Sequence, residues 1–280
     1  MRYERCSCNN LPDLYRAFRS GFADYTVKLD VPYQVFAERF FQPAWNQLEH
    51  SFIAYDGSLP VGMILGGIRH YEGIRTMRCG GLCVIPEYRR RQVGHALYQL
   101  HRREAVENRC KQLFLEVIAG NEPAIAFYKR LGYQKVYDLR YYVHNRPEEL
   151  GAGEEWGIEI RPFSAGQVRA AANPETHINW QNTLEYIEND DVQFYGVAGE
   201  AAPLAYLCIS RRGKLFQLWV NPDHRHQGIA SALLSHAITR LGLNKVSAST
   251  PNNASLEGFL RKREFVEERI SQHEMYLTLS

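Results

Sequence analysis

Two stretches of this chain repeat one another. PEYRRRQVGHAL runs from Pro86 to Leu97, and PDHRHQGIASAL runs from Pro222 to Leu233. Pro86 and Pro222, Arg89 and Arg225, and Leu97 and Leu233 are each 136 positions apart. A second landmark follows each copy. Asn121 opens NEPAIAFYKRLGY, and Asn253 opens NASLEGFLRKREF, 132 positions later. Two ordered landmarks at nearly one spacing imply a duplicated domain. The 280 residues accommodate two domains at about 150 residues each. The polar stretch HNRPEELGAGEE, with one Pro and two Gly, is the natural place for a linker. We expect a first domain over 1–148, a linker at 149–155 and a second domain over 156–280.

The pattern between the landmarks is mixed. Residues 10–50 read as helical and rich in aromatics, from Phe18 to Trp45. HSFIAYDGSLPVGMILGGI, from His50, reads as strand, tight turn at Asp56–Gly57, and strand. Further strands are expected over 74–85, 111–118 and 133–144. Helices are expected from Arg89, with Val93, Ala96, Leu97 and Leu100 on one face, and over 122–131, closed by Gly132. The second half repeats the plan. Strands are expected over 156–161, 192–199, 203–210, 214–221, 244–249 and 265–279, with helices over 225–241 and 254–263. Hairpins among alternating strands and helices give an α/β (α+β) class, each domain a mixed, mostly antiparallel sheet flanked by helices.

Bulk composition narrows the function. Lys and Arg total 33 against 31 Asp and Glu, a net charge of +2 that does not mark a general polyanion binder. The start, MRYERCSCNN, lacks the apolar core of a secretory signal, and the run near Val61–Ile68 is too short to span a bilayer. Cys6, Cys8, Cys79, Cys83, Cys110 and Cys208 show no paired metal spacing, so free thiols, no metal site and a cytoplasmic location are expected.

The repeated turn carries the chemistry. A helix start leaves backbone N–H groups unpaired. Small residues let the backbone approach a bulky anion, and a nearby Arg adds charge-assisted hydrogen bonds. The second copy reads R-x-x-G-x-A with Arg225, Gly228 and Ala230; the first reads R-x-x-Q-x-G with Arg89, Gln92 and Gly94. No G-K-[ST] is present, so this is neither a P-loop nor a dinucleotide fingerprint.

These residues resemble the GNAT acyltransferase superfamily, whose [QR]-x-x-G-x-[GA] turn grips the pyrophosphate of acetyl-CoA. Asn121, Tyr128, Gly132 and Tyr133 match its second landmark. The resemblance covers about 50–143 and about 157–279. It implies an acetyl-CoA-dependent N-acetyltransferase acting on a primary amine, small-molecule or peptide, by direct transfer in a ternary complex. By resemblance, Leu82, Cys83 and Val84 supply main-chain contacts to the acyl and pantetheine arm. The turn residues Arg89, Arg90, Arg91, Gln92, Val93, Gly94 and His95 hold the diphosphate. Asn121 and Ala124 hold the cofactor near its pantetheine, and Tyr128 protonates the departing sulfur. In the second copy Val220, Arg225, Gln227, Gly228, Ala230 and Asn253 form a weaker cofactor site. There Leu260 stands at the place of Tyr128 and Glu264 at that of Gly132, so the second half keeps the grip and lacks the acid.

Other readings compete. Glu116, inside LFLEVI, is either a base, an ion-paired carboxylate or a residue at a strand edge, since a buried charge needs a reason. Cys83 in an apolar strand reads as a buried small side chain rather than a nucleophile. The basic run from Arg89 to Lys111 suits a nucleic-acid-binding helix less well than a CoA site. A non-enzymatic acyl-CoA-binding or sensing protein is the main alternative to an enzyme. Oligomeric state is left open by the residues.

Overall fold

The computed structural model describes residues 1–279 except 26, 28, 42–44, 151–156, 172–175, 189–190, 201 and 253, with backbone alone at 39 and 254. The chain packs as two compact units, Met1–Val136 with Glu274–Ser280, and Tyr137–His273.

The first unit runs β1 (Arg2–Arg5), α1 (Leu11–Gly21), α2 (Tyr33–Arg39), β2 (Gln47–Asp56), β3 (Leu59–Tyr71), β4 (Ile74–Val84), α3 (Val93–Glu107), β5 (Gln112–Ile118), α4 (Glu122–Arg130) and the start of β6 (Gln134–His144). Strands β1 to β4 pair antiparallel in order, and β4 pairs parallel with β5. The last residues of the chain complete this sheet: the Leu279 N–H donates to the Lys111 carbonyl beside β5, at 2.9 Å. Apolar residues alternate across the pleat, so the sheet has two buried faces. Phe52, Ala54, Ile64 and Met77 pack beneath α3 and α4, together with Met275 and Leu279. Ile53, Tyr55, Met63 and Leu65 pack beneath α1, which buries Leu14, Ala17 and Phe18 at helical spacing.

The second unit takes Tyr137–His144 of β6 as its first strand. It continues with β7 (Arg161–Pro162), α5 (Ala165–Ala171), α6 (Leu184–Ile187), β8 (Val192–Val197), β9 (Ala205–Ser210), β10 (Lys214–Val220), α7 (Ile229–Leu241), β11 (Val246–Thr250), α8 (Ala254–Lys262) and β12 (Val266–Thr278), whose residues from Glu274 belong to the first unit. Its sheet order is β12-β6-β11-β10-β9-β8-β7, with β12 present up to His273. Among the described residues no helix is long and apolar enough to cross a membrane.

Several features differ from the sequence reading. The compact boundary falls within β6 rather than at 149–155, because each half contributes a strand to the other unit; most of the expected linker lies outside the described residues. Both long helices begin four residues later than expected, at Val93 and Ile229. The cause is local: Arg90 and Gln92, and likewise His226 and Gly228, have positive φ, which a right-handed helix cannot contain. The expected strand over 156–161 is reduced to Arg161–Pro162, and β2 already starts at Gln47 inside the region read as helical. Helices α5 and α6 carry no strong periodic signal and were not anticipated.

Candidate active site

Both copies build the same turn. A 3-10 turn over Pro86–Tyr88 precedes Arg89, and one over Pro222–His224 precedes Arg225. The left-handed residues are Arg90 and Gln92 (φ 59° and 66°) in the first copy, His226 and Gly228 (φ 63° and 82°) in the second. Arg89 Nε donates to the Val84 carbonyl at 3.0 Å, and Arg225 Nε donates to the Val220 carbonyl at 3.2 Å. The arginine of the motif therefore ties the turn to the end of the preceding strand in each unit.

Neither α3 nor α7 has a capping side chain or an acidic residue in its first turn. The N–H groups of Val93, Gly94 and His95 therefore have neither a capping oxygen nor, at a helix start, an intrahelical partner. A methyl group at Gly94 would meet only Val84 Cγ2, at 3.6 Å. Packing does not require glycine there, so the space is open to a ligand. Contrast Gly62, where the same methyl would lie 2.9 Å from the Cys83 carbonyl. A helix start of this kind, with Arg90 exposed beside it, suits a diphosphate.

The other basic side chains are partly engaged. The Arg89 guanidinium meets both Asp24 oxygens at 2.6 Å and donates to the Gly21 carbonyl at 3.2 Å. This pairing holds Asp24 below the usual carboxylate range. Arg91 lies over the Tyr88 ring, 5.0 Å from its centroid. His95 is exposed and contacts Gln99, whereas Val93 is buried in the core.

Strand β4 opens next to this turn. Its parallel pairing with β5 runs from Thr76–Gln112 to Cys79–Leu115 and stops there. Opposite β3, Gly80 is an extra residue between the pairs Gly66–Cys79 and Leu65–Gly81, which is a β-bulge. Beyond it, Leu82 and Val84 pack against the core under α3, and Cys83 turns to the core under α1. Burial pushes the Cys83 thiol up to about 12, and it donates to the Ala17 carbonyl. A neutral, buried thiol is no nucleophile.

Tyr128, on α4, reaches the same place from the other side. Its Oη lies 4.0 Å from Cys79 Sγ. Burial, reinforced by the neighbouring Cys79, raises the phenol well above its ordinary value, so it stays protonated. Asn121 caps α4, its Oδ1 accepting from the Ala124 N–H at 3.3 Å. Burial raises the pKa of Tyr25, a half-buried residue that the sequence reading did not single out, and the nearby Asn121 side chain pulls it back down. Glu116 is ion-paired: its Oε2 accepts from Arg78 Nε at 2.9 Å and Nη2 at 2.6 Å, with 2% of the side chain exposed. Of its three readings, the ion pair is the one the geometry displays.

The second unit holds a cavity of about 690 Å³ in the corresponding place. Val220, Arg225, Gly228 and Ala230 line it; Gln227 is exposed outside it, and Asn253 lies outside the described residues. Phe216 occupies the bulge of β10, 136 positions after Gly80. Leu260 is fully buried where the first copy has Tyr128. Glu264 nonetheless takes the left-handed conformation of Gly132 (φ 59° against 97°). The same terminal bonds form: Tyr133 N–H to Tyr128 carbonyl at 3.1 Å, and Phe265 N–H to Leu260 carbonyl at 3.0 Å.

Comparison with known proteins adds an independent finding. The model of the acetyltransferase (GNAT) family matches residues 12–133 and 155–265. N-alpha-acetyltransferase 30 of Dictyostelium discoideum is 31% identical over 116 residues, covering 41% of this chain and 62% of that protein. N-alpha-acetyltransferase MAK3 of Arabidopsis thaliana is 30% identical over 118 residues, covering 42% and 61%. The chain thus spans under two thirds of these relatives. Among solved structures, a GCN5-related N-acetyltransferase from Sphaerobacter thermophilus has a TM-score of 0.69 at 13% identity, covering 99% of this chain and 95% of its own. A tandem GNAT protein from the clavulanic acid biosynthesis pathway has a TM-score of 0.68 at 15% identity, covering 99% and 98%. These last two likenesses concern the fold.

Proposed function

This chain belongs to the acetyltransferase (GNAT) family, and we propose that its first unit moves an acetyl group from acetyl-CoA to a primary amine. The observation that carries this reading is the meeting of three features at one point. An uncapped helix start stands over the end of β4. Strand β4 leaves β5 at Cys79. A protonated, buried phenol, Tyr128, sits against that residue.

Transfer is direct. The N–H groups at the start of α3 hold the diphosphate of the acyl donor, and Arg89 keeps the turn fixed to β4 and to Asp24 rather than gripping phosphate itself. The opened edge of β4 beyond Cys79 offers main-chain groups to the pantetheine arm and the thioester carbonyl. The amine lone pair forms the new C–N bond while the C–S bond breaks. As the C–S bond breaks the departing sulfur takes the Tyr128 proton, and the proton lost by the amine nitrogen passes through water to restore the Tyr128 phenol, so the products are the amide and the free thiol with no net proton released. No acyl-enzyme is needed, since Cys79 and Cys83 are both neutral, Cys79 being pushed up to about 11 by burial.

The relatives named as N-alpha-acetyltransferases support an α-amine of a peptide or protein as the acceptor class. The second unit, with its cavity but with Leu260 and Phe216 at the acid and bulge positions, binds the same donor without turning it over. We place the protein in the cytoplasm and assign it no nucleic-acid partner.

The test is Tyr128→Phe, assayed by thiol release from acetyl-CoA with a peptide amine. Loss of a general acid lowers kcat by about 10²–10⁴ while KM for acetyl-CoA changes little. A wild type that releases no thiol with any amine overturns the enzyme reading. An unchanged kcat in the variant removes Tyr128 as the acid.

A further inference from the structure

Asn46 stands out among the buried polar residues of the first unit. It is 4% exposed, just ahead of β2. Its amide nitrogen donates to the Phe40 carbonyl at 2.9 Å. A carbonyl only accepts, so the nitrogen must face it and the amide oxygen must turn away. That oxygen has no hydrogen-bond partner among the described residues. Buried acceptors are normally satisfied, and leaving one open is costly.

The oxygen is aimed at the bulge. A methyl group added to Gly80 would lie 1.8 Å from Asn46 Oδ1, so only glycine lets the amide sit there. On the residue before, Cys79 meets the Tyr128 phenol. Cys79 belongs to the core beneath α3 and α4, whereas Gly81 faces Phe22 and Met63 of the core beneath α1. The strand thus carries a proton donor on one side of its bulge and an unsatisfied acceptor against the bulge itself. Bulges commonly serve to re-aim groups beside an active site.

We infer that Asn46 Oδ1 accepts a hydrogen bond from the N–H of the incoming amine. This rests on the acetyltransferase reading and deepens it by naming the residue that orients the acceptor. A primary amine fits the geometry because one N–H is held by Asn46 while the lone pair points at the thioester carbon and a second N–H is left to depart as the proton. A secondary amine has only one N–H for both tasks. Asn46 itself forms and breaks no covalent bond; it selects and orients the nucleophile.

The experiment compares two acceptors, a pentapeptide with a free amino terminus and its N-methyl counterpart, by thiol release from acetyl-CoA. The wild type should favour the primary amine. Asn46→Ala should cut kcat/KM for that amine about tenfold, the worth of one hydrogen bond. It should act much less on the N-methyl peptide, with KM for acetyl-CoA unchanged. Asn46→Asp, which in its protonated form still donates to the Phe40 carbonyl and keeps an acceptor oxygen toward the bulge, should retain the preference at a pH low enough to hold that carboxyl neutral. A purely structural residue would lower both rates alike. A wild type active on the peptide, with both amines affected equally by N46A or not at all, overturns the role of Asn46 and leaves the acetyltransferase reading standing. A wild type that acetylates neither probe overturns both. Should N46A unfold, N46D decides, since a lost preference there also refutes the role.

Discussion

Replacing His101 by phenylalanine should remove much of the acid sensitivity of the first unit. His101 lies on the buried side of α3, about two turns beyond the candidate diphosphate site, and is 0% exposed. Neither ring nitrogen has a hydrogen-bond partner among the described residues. Burial pushes its pKa down to about 3, with Glu104 pulling weakly the other way. A histidine held this far below its ordinary 6.5 folds in the neutral form. Its contribution is complete above pH 6.5 and is lost as pH falls from there toward 3. Between pH 7 and pH 5 the unfolded chain gains about one proton at this side chain and the native chain gains almost none, which costs about 2 kcal/mol. Urea unfolding followed by circular dichroism at pH 7, 6 and 5 measures the loss. The difference between wild type and His101→Phe isolates this residue, because the neighbouring Arg5, His50 and Glu104 are common to both. Equal slopes with pH in the two proteins would refute the assignment of the proton to His101.

Other consequences can be measured directly. Asp24→Asn and Arg89→Ala should each weaken coenzyme A binding by no more than about fivefold, and the double variant should do no worse than either alone, because they act as one brace. Additive losses in calorimetry would instead make Arg89 a direct phosphate ligand. Gln92→Glu puts an anion at the first turn and Ala230→Asp puts one at the second. Each should weaken its own class of coenzyme A site, about tenfold or more, without moving the other; a single class of sites in the wild type would remove the second unit as a binder. Gly228→Ala forces a side chain into φ 82° and should cost about 1 kcal/mol in stability.

The duplication, the strand–turn–helix order and the Asn121–Tyr128 landmark are all legible in the residues, because each is marked by short local stretches such as Pro86–Leu97 and Asn121–Tyr133. Gln92 is instructive. As a sequence letter it departs from the glycine of the second copy, yet its backbone has the left-handed conformation of Gly228. The loop imposes that conformation, and the side chain bears a cost of about 1–2 kcal/mol. What escaped the sequence is what joins distant segments: Asp24 with Arg89, Tyr25 with Asn121, Asn46 with Gly80. None leaves a periodic trace, since each rests on one side chain meeting a partner set by tertiary packing. The Gly80–Gly81 pair inside a strand was the available hint of a bulge. Glu116 shows the converse: its burial was readable, and its partner Arg78 was not.

The exchanged strands bear on how the protein comes off the ribosome. Glu274 is 138 positions beyond Val136, so the first unit waits for its closing strand until nearly all of the second has been synthesised. At about 5–20 residues per second, that wait lasts roughly 7–28 s. Throughout it the edge of β5 that Leu279 will occupy is open, and an open strand edge invites pairing with other chains. Expressing the halves from separate genes would prolong that exposure until each half captured its missing strand from the other.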